Sequence, residues 1–283
     1  MTVSAYFTPG SLVEALGVID RFGDDLLVMA GGTVAMPLIN DGLSLPERVM
    51  GLRLAILDQV TEDGGAIGLG ATTTLTRLLE LEALPILAEA ARHTGSWSIR
   101  NMATIGGNLF TPPPGGDVAV ALLAVDAQVR LVSSRGERVV PLADFYTGFM
   151  TTVLQPDELL AEIVVPRPSG TTAFLKFGRK SANTPAVVTV AVRVVREGSR
   201  VVDARIALGA VGPHPGRATR AEALIVGSEL EPDALEAAAA AAAEDCDPFS
   251  DAVATDWYRR RMVSVFVRRA LEQIERGRST EDR

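Results

Sequence analysis

The sequence has 283 residues, 47% hydrophobic and 22% charged, which excludes disorder for most of the chain and allows one large domain or two to three small ones. Its formal net charge of −8 argues against a general nucleic-acid binder, which carries a basic surplus. Cys246 is the only cysteine, so an internal disulfide is excluded and the chain alone cannot hold an iron–sulfur cluster or a multi-cysteine zinc site.

The first cation is Arg21, so the opening stretch has the marks of neither a secretory signal nor a transit peptide, and a cytoplasmic setting is expected. Ser11–Phe22 is predicted as a helix, with Leu12, Ala15, Leu16 and Ile19 on one face and Ser11 and Glu14 spaced as a capping box. Leu26–Ala30 reads as a strand running into Gly31-Gly32-Thr33 and a helical segment, Val34–Asn40. Arg48–Leu52 and Ala66–Gly70 are further strands, and Thr74–Glu80 and Pro85–Arg92 are helices. This alternation favours an α/β arrangement over the first part of the chain.

Thr111–Asp117, with three prolines and two glycines, predicts a fixed loop. Val118–Val125 is a buried helix or strand. At eight residues it is the longest purely apolar stretch, too short to span a membrane. Gln128–Val132 and Glu137–Val140 form a hairpin, and Glu158–Val165 is a strand ending at Pro166-Arg167-Pro168, the expected domain boundary. Beyond it, Thr172–Phe177, Ala186–Val195 and Val201–Val211 read as an antiparallel meander, followed by helices over Thr219–Val226, Asp233–Asp245 and Asp256–Arg276. The last helix sets Val263, Phe266, Val267, Ala270, Leu271 and Ile274 on one face. Arg259, Arg260, Arg261, Arg268 and Arg269 are expected on a solvated or subunit-facing side.

Several chemistries find no support. His93 and His214, the only histidines, have no ligand partners at metal spacing, and neither a nucleophile elbow nor a P-loop occurs. Gly68-x-Gly70 is followed by Thr73 where a dinucleotide fingerprint needs glycine. Two glycine-pair loops remain, Ala30-Gly31-Gly32-Thr33 and Ala103-Thr104-Ile105-Gly106-Gly107-Asn108. Paired glycines let backbone N–H groups approach a ligand, and two such loops with Thr33, Thr104 and Thr111 beside them suggest a pyrophosphate held from two sides. Of the 27 basic residues only Lys176 and Lys180 are lysines, so either invites a search for a role arginine cannot fill.

At these residues the sequence resembles the FAD-binding (medium) subunit of the molybdenum hydroxylases, the xanthine dehydrogenase and aerobic carbon monoxide dehydrogenase family. Ala30–Thr33 resembles its first flavin loop, and Ile99–Leu109 its second and most specific signature. Thr111–Asp117, Ala121–Ala127, Gly68–Thr73, Pro156–Leu160 and Ile163–Pro166 continue the likeness. Ala204–Val211, Pro215–Ala218 and Tyr258–Leu271 extend it through the C-terminal part. The resemblance implies an α+β fold. A two-subdomain vanillyl-alcohol-oxidase/PCMH-like FAD-binding domain, residues 1–168, would be followed by an antiparallel sheet plus helices, residues 169–283. It implies non-covalent FAD held by Ala30, Gly31, Gly32, Thr33 and Val34 from one loop and by Thr104, Gly106, Gly107 and Asn108 from the other. Thr111 would lie near the flavin, Asp117 would accept hydrogen bonds from the adenosine ribose or a neighbouring polar group, Leu160 would pack by the isoalloxazine ring, and Lys176 would sit near its polar edge. No acid–base catalytic residue and no metal ligand is expected on this chain.

The resemblance also implies partners: a large subunit with the molybdenum cofactor and a small subunit with [2Fe-2S] clusters, as a heterotrimer or its dimer. Electrons would pass through FAD to NAD, a quinone or oxygen. A free-standing FAD-dependent oxidoreductase and an interaction subunit that has lost FAD are the alternatives. The sequence departs from the family at Val34, where an acidic residue is frequent, in the loop Pro113–Gly116, and after Lys176, where Phe177–Ala186 lacks the family's acidic position.

Overall fold

A computed structural model describes residues 3–167, 169–180 and 183–281. Pro168, at the expected domain boundary, and Ser181 and Ala182, in the divergent loop after Lys176, lie outside the described residues. The chain opens with β1 (Ala5–Phe7), α1 (Leu12–Phe22), β2 (Leu26–Met29), α2 (Ala35–Asn40) and β3 (Arg48–Gly51). These strands form a parallel sheet in the order β1-β3-β2. Ser11 caps α1 by accepting from the Glu14 N–H at 3.2 Å. The Glu14 carboxylate reaches back one residue beyond the cap, accepting from Gly10 N–H at 2.8 Å.

A larger unit follows: β4 (Val60–Asp63), β5 (Ala66–Gly70), α3 (Leu75–Leu78), α4 (Pro85–Arg92), α5 (Trp97–Arg100), α6 (Ile105–Leu109), α7 (Asp117–Ala124), β6 (Gln128–Ser133), β7 (Gly136–Pro141), β8 (Tyr146–Gly148), β9 (Thr151–Thr152) and β10 (Leu159–Pro166). Its sheet, ordered β4-β5-β10-β6-β7, has only antiparallel pairings. The expected α/β alternation is thus confined to the small opening unit. Short helices inserted between antiparallel strands produce the same apolar rhythm in the larger one.

The third unit is a meander, β11 (Thr171–Gly178), β12 (Ala186–Glu197), β13 (Arg200–Gly209) and β14 (Gly216–Arg217), covered by α8 (Thr219–Ile225), α9 (Pro232–Glu244) and α10 (Asp256–Glu281). One face of this sheet meets those helices and the other meets α7. All eight residues of α7 are buried, which resolves the choice between buried helix and strand. An added Cβ at Gly209 of β13 would overlap Val120 of α7, so glycine there sets the close helix–sheet approach. Phe174, Ala191 and Ala207 of the meander belong to the same apolar cluster as α7, and the core therefore continues across the seam.

One charged group crosses these units and another is buried within the third. Asp126, just after α7, accepts from Arg193 and Arg205, each at 2.8 Å, and Arg193 also donates to the Ala124 carbonyl at 3.1 Å. Arg259 corrects the expectation of a solvated arginine face. It is 0% exposed, and its guanidinium donates to the carbonyls of Ala186, Val187 and Ala210 and to Asp251. It stands four residues before Val263 and seven before Phe266, so helical spacing carries it onto the apolar side. Among the described residues no helix is long and apolar enough to cross a membrane.

In the larger unit Arg138 grips Glu158 with a two-pronged hydrogen bond, at 2.6 and 2.8 Å, which holds the carboxyl below its ordinary range. The stabilisation is complete above the unfolded value of roughly 4.3 and is lost as pH falls through the lowered folded value. Glu158→Gln is therefore expected to lower the urea midpoint most near neutral pH. Its difference from wild type should shrink as the pH falls below the ordinary carboxylate range, a trend that unfolding curves at several pH values check.

Candidate cofactor site

The first glycine loop leaves β2 at the carboxyl end of its parallel sheet, where α/β units place ligands. Gly32 has φ +71°, and a Cβ there would meet the Met29 Sδ at 3.2 Å. A Cβ on Gly31 would collide outright with the Met102 carbonyl oxygen, and the Ala103 Cα lies just beyond. Backbone thus rests on backbone between two loops far apart in sequence. Among the described residues, the N–H groups of Gly31, Gly32, Thr33 and Val34 have no acceptor. A half-exposed run of donors with no side chain over its first two members can receive an anionic group at close range.

The second loop is organised differently from the expected pair of donor cradles. Its N–H groups are already used: Ile105 donates to the Thr73 carbonyl at 2.8 Å, Gly106 to the Ala71 carbonyl at 2.9 Å, and Gly107 to the Thr104 hydroxyl at 3.1 Å. A Cβ on Gly106 would come within 2.7 Å of the Ala71 carbonyl oxygen, so this glycine allows a backbone contact inside the protein. Asn108 is buried, and its side-chain oxygen accepts from Ala119 N–H at 3.1 Å, tying α6 to α7. Thr111 donates to the Gly107 carbonyl at 3.3 Å. This segment is the rigid backing of the first loop.

Asp117 and Lys176 meet across the seam between the second and third units. The Lys176 Nζ lies 2.6 Å from one Asp117 oxygen and donates to the His93 carbonyl at 3.1 Å, while Thr189 donates to the other oxygen at 2.7 Å. Their side chains are 7% and 5% exposed, so Lys176 is no exposed strand residue. Of the two roles expected for Asp117, the structure displays neighbouring polar partners. Leu160 stands apart from this group, buried in the apolar core opposite Leu131 of β6.

Other contributors escape a linear reading. Tyr146 donates to the Leu109 carbonyl at 3.1 Å and so holds the end of α6, and burial pushes its hydroxyl well above the ordinary phenol range. The His214 ring stacks on Tyr146 at 5.5 Å, which assigns the Gly212–Gly216 turn a packing role. Thr189 and Arg193, four apart on one face of the strand's otherwise apolar stretch from Ala186 to Val195, were the available signal for buried polar partners.

The arrangement fits a pyrophosphate-bearing cofactor: free donors lie over Gly31–Val34 on a backing that no side chain interrupts. Ala30 begins the loop and Val34 ends it. Residues 2–168 match the family of the FAD binding domain in molybdopterin dehydrogenase. Residues 172–274 match the CO dehydrogenase flavoprotein C-terminal domain. The chain is 32% identical to the carbon monoxide dehydrogenase medium chain of Afipia carboxidovorans, over 95% of this chain and 96% of that one. It is 30% identical to the glyceraldehyde dehydrogenase medium chain of Sulfolobus acidocaldarius, over 95% and 98%. A solved structure of carbon monoxide dehydrogenase from Hydrogenophaga pseudoflava superimposes with a TM-score of 0.92 at 32% identity, covering 96% of both chains.

Removing one partner of a buried ion pair leaves the other desolvated and uncompensated. Lys176→Met is expected to lose about 3–5 kcal/mol of stability by urea denaturation. Lys176→Met combined with Asp117→Leu should recover much of that loss, because the double variant buries no lone charge.

Proposed function

The chain belongs to the FAD-binding medium subunits of the molybdenum hydroxylase family, and from that membership we propose that it is the electron-transfer subunit of a molybdenum-containing hydroxylase or dehydrogenase. It is an oxidoreductase subunit, and FAD is its cofactor. In this reading residues 1–168 carry the flavin and residues 169–283 close the site from one side. A partner with the molybdenum cofactor oxidises the substrate, and [2Fe-2S] clusters on a second partner relay electrons to this chain. The assembly is a heterotrimer or its dimer in the cytoplasm, and the final acceptor is NAD, a quinone or oxygen.

The observation that carries the reading is the run of unpartnered N–H groups at Gly31–Val34, seated on the Met102 carbonyl. Bound flavin would supply the capacity to exchange electrons singly or in pairs, which joins one-electron clusters to a two-electron acceptor. The chain's own residues bind and orient it. The Gly31–Val34 amides hold the pyrophosphate with Ala30 as the loop's entry, while Thr104, Gly106, Gly107 and Asn108 keep the backing of that loop fixed. Thr111 is assigned a place near the flavin, and Asp117 accepts from its polar neighbours Lys176 and Thr189. Lys176 is assigned to the flavin's polar edge, its ammonium shared with Asp117, and Leu160, although it lies in the apolar core apart from this pair, to the packing by the isoalloxazine ring. The sole cysteine, Cys246, is buried behind the meander, which agrees with clusters carried on another chain.

The purified chain is expected to show the absorption bands of flavin, and denaturation should release that flavin intact. Gly31→Ala should abolish uptake, because the new methyl displaces the donor loop. A colourless wild-type protein that takes up no added FAD overturns the flavin assignment. Metal analysis of the complex isolated through a tag on this chain should find molybdenum and iron; flavin with neither metal overturns the partner assignment.

A further inference from the structure

Four consecutive carbonyls, from Arg92 to Gly95, close α4, and each meets a cation. Nη1 of Arg100 donates to the carbonyls of Arg92 at 3.4 Å, Thr94 at 3.3 Å and Gly95 at 3.0 Å. Lys176 takes the remaining one, that of His93, at 3.1 Å. Gly95, at φ +60°, makes the turn that converges them, and a Cβ there would come within 2.7 Å of Ile99. Among the described residues Arg100 meets carbonyls and no carboxylate, and its Nε is buried without a partner. An orphaned donor on a part-buried cation is a standing cost that a neutral side chain would avoid.

The position of Arg100 in the chain suggests what offsets that cost. Asn101, the next residue, accepts from the Thr76 hydroxyl at 2.6 Å, so the segment is pinned on one side to α3 and on the other to the 92–95 turn. Met102 follows, and its carbonyl is the surface on which Gly31 rests. All three bonds leave one nitrogen at the end of a planar, pre-organised group, so its position is set with little loss of rotamer freedom, whereas an ammonium swings on a flexible four-carbon stem.

We propose that Arg100 is a positioning residue for the cofactor: by bracing the 92–95 turn it fixes the height of the Met102 carbonyl and, through it, the Gly31–Val34 donor run. The inference rests on the flavin reading above. It is tested by titrating FAD into the full chain and the variants Arg100→Gln and Arg100→Lys, at a temperature where far-ultraviolet circular dichroism shows all of them folded. Flavin fluorescence reads affinity, and visible circular dichroism reads the setting of the bound ring.

Arg100→Gln is expected to bind about tenfold more weakly and to change the visible dichroism of the flavin it retains. Arg100→Lys, which keeps the charge and loses the rigid planar head, should stay within about threefold of Arg100→Gln. Wild-type affinity and dichroism in Arg100→Gln overturn the proposal, as does full recovery in Arg100→Lys, because charge alone would then suffice. If Arg100→Gln does not fold, Arg100→Lys decides by itself: a loss of about tenfold supports the brace and equality with wild type overturns it. Absence of FAD uptake by the wild-type chain overturns the flavin reading and this proposal together, and it is distinguishable because no variant is involved.

Discussion

Gly31 lies so close to the Met102 carbonyl that no side chain fits between them, and the architecture around the site serves to keep that contact in place. A loop of free donors is mobile by nature, because its amides are satisfied as well by water as by a ligand. Seating it on a second backbone removes the freedom before any ligand arrives, so less entropy is lost on binding. The second glycine segment can act as that seat because its own amides are spent inside the protein, on Thr73, Ala71 and Thr104. Equivalent motifs in sequence thus divide the work, one donating and one supporting.

The support extends across the units. Asp117 and Lys176 bring the start of α7, the turn after α4 and the edge strand β11 to one point, and Thr189 completes the set from β12. Buried ion pairs contribute little net stability when desolvation is counted, but they strongly disfavour arrangements that separate the partners. A second polar group, Asp126 with Arg193 and Arg205, stands at the other end of α7. With both ends held by directional bonds and its flanks by apolar packing, α7 has one allowed seating against the meander.

Much of this was legible in the sequence, for identifiable reasons. Ser11–Phe22 and Pro85–Arg92 announce themselves by periodicity and caps, and the meander by its long β-branched runs. β1 is only three residues long, β4 is mostly polar, α5 is a single four-residue turn and α6 carries two glycines and an asparagine, so no local pattern rises above the background. The glycine pairs pointed to the site, yet their unequal roles depend on which amides find acceptors, and Ala71 and Thr73 are supplied by a distant turn. Arg259 shows the same limit from the other direction. A cluster of arginines reads as a solvated face until three carbonyls from other elements enclose one of them.

The complete burial of α7 also bears on how the chain is made. The helix is finished at Ala124, whereas the strands that cover it, β12 and β13, end at Glu197 and Gly209. During synthesis from the N-terminus, an eight-residue helix with only one polar side chain therefore stands uncovered on one flank while dozens of further residues are added. Exposed apolar helices of this kind are what holdase chaperones engage. The two matched segments, residues 2–168 and 172–274, are thus not two independent folding tasks: the first leaves one flank of its central helix to be covered by strands of the second.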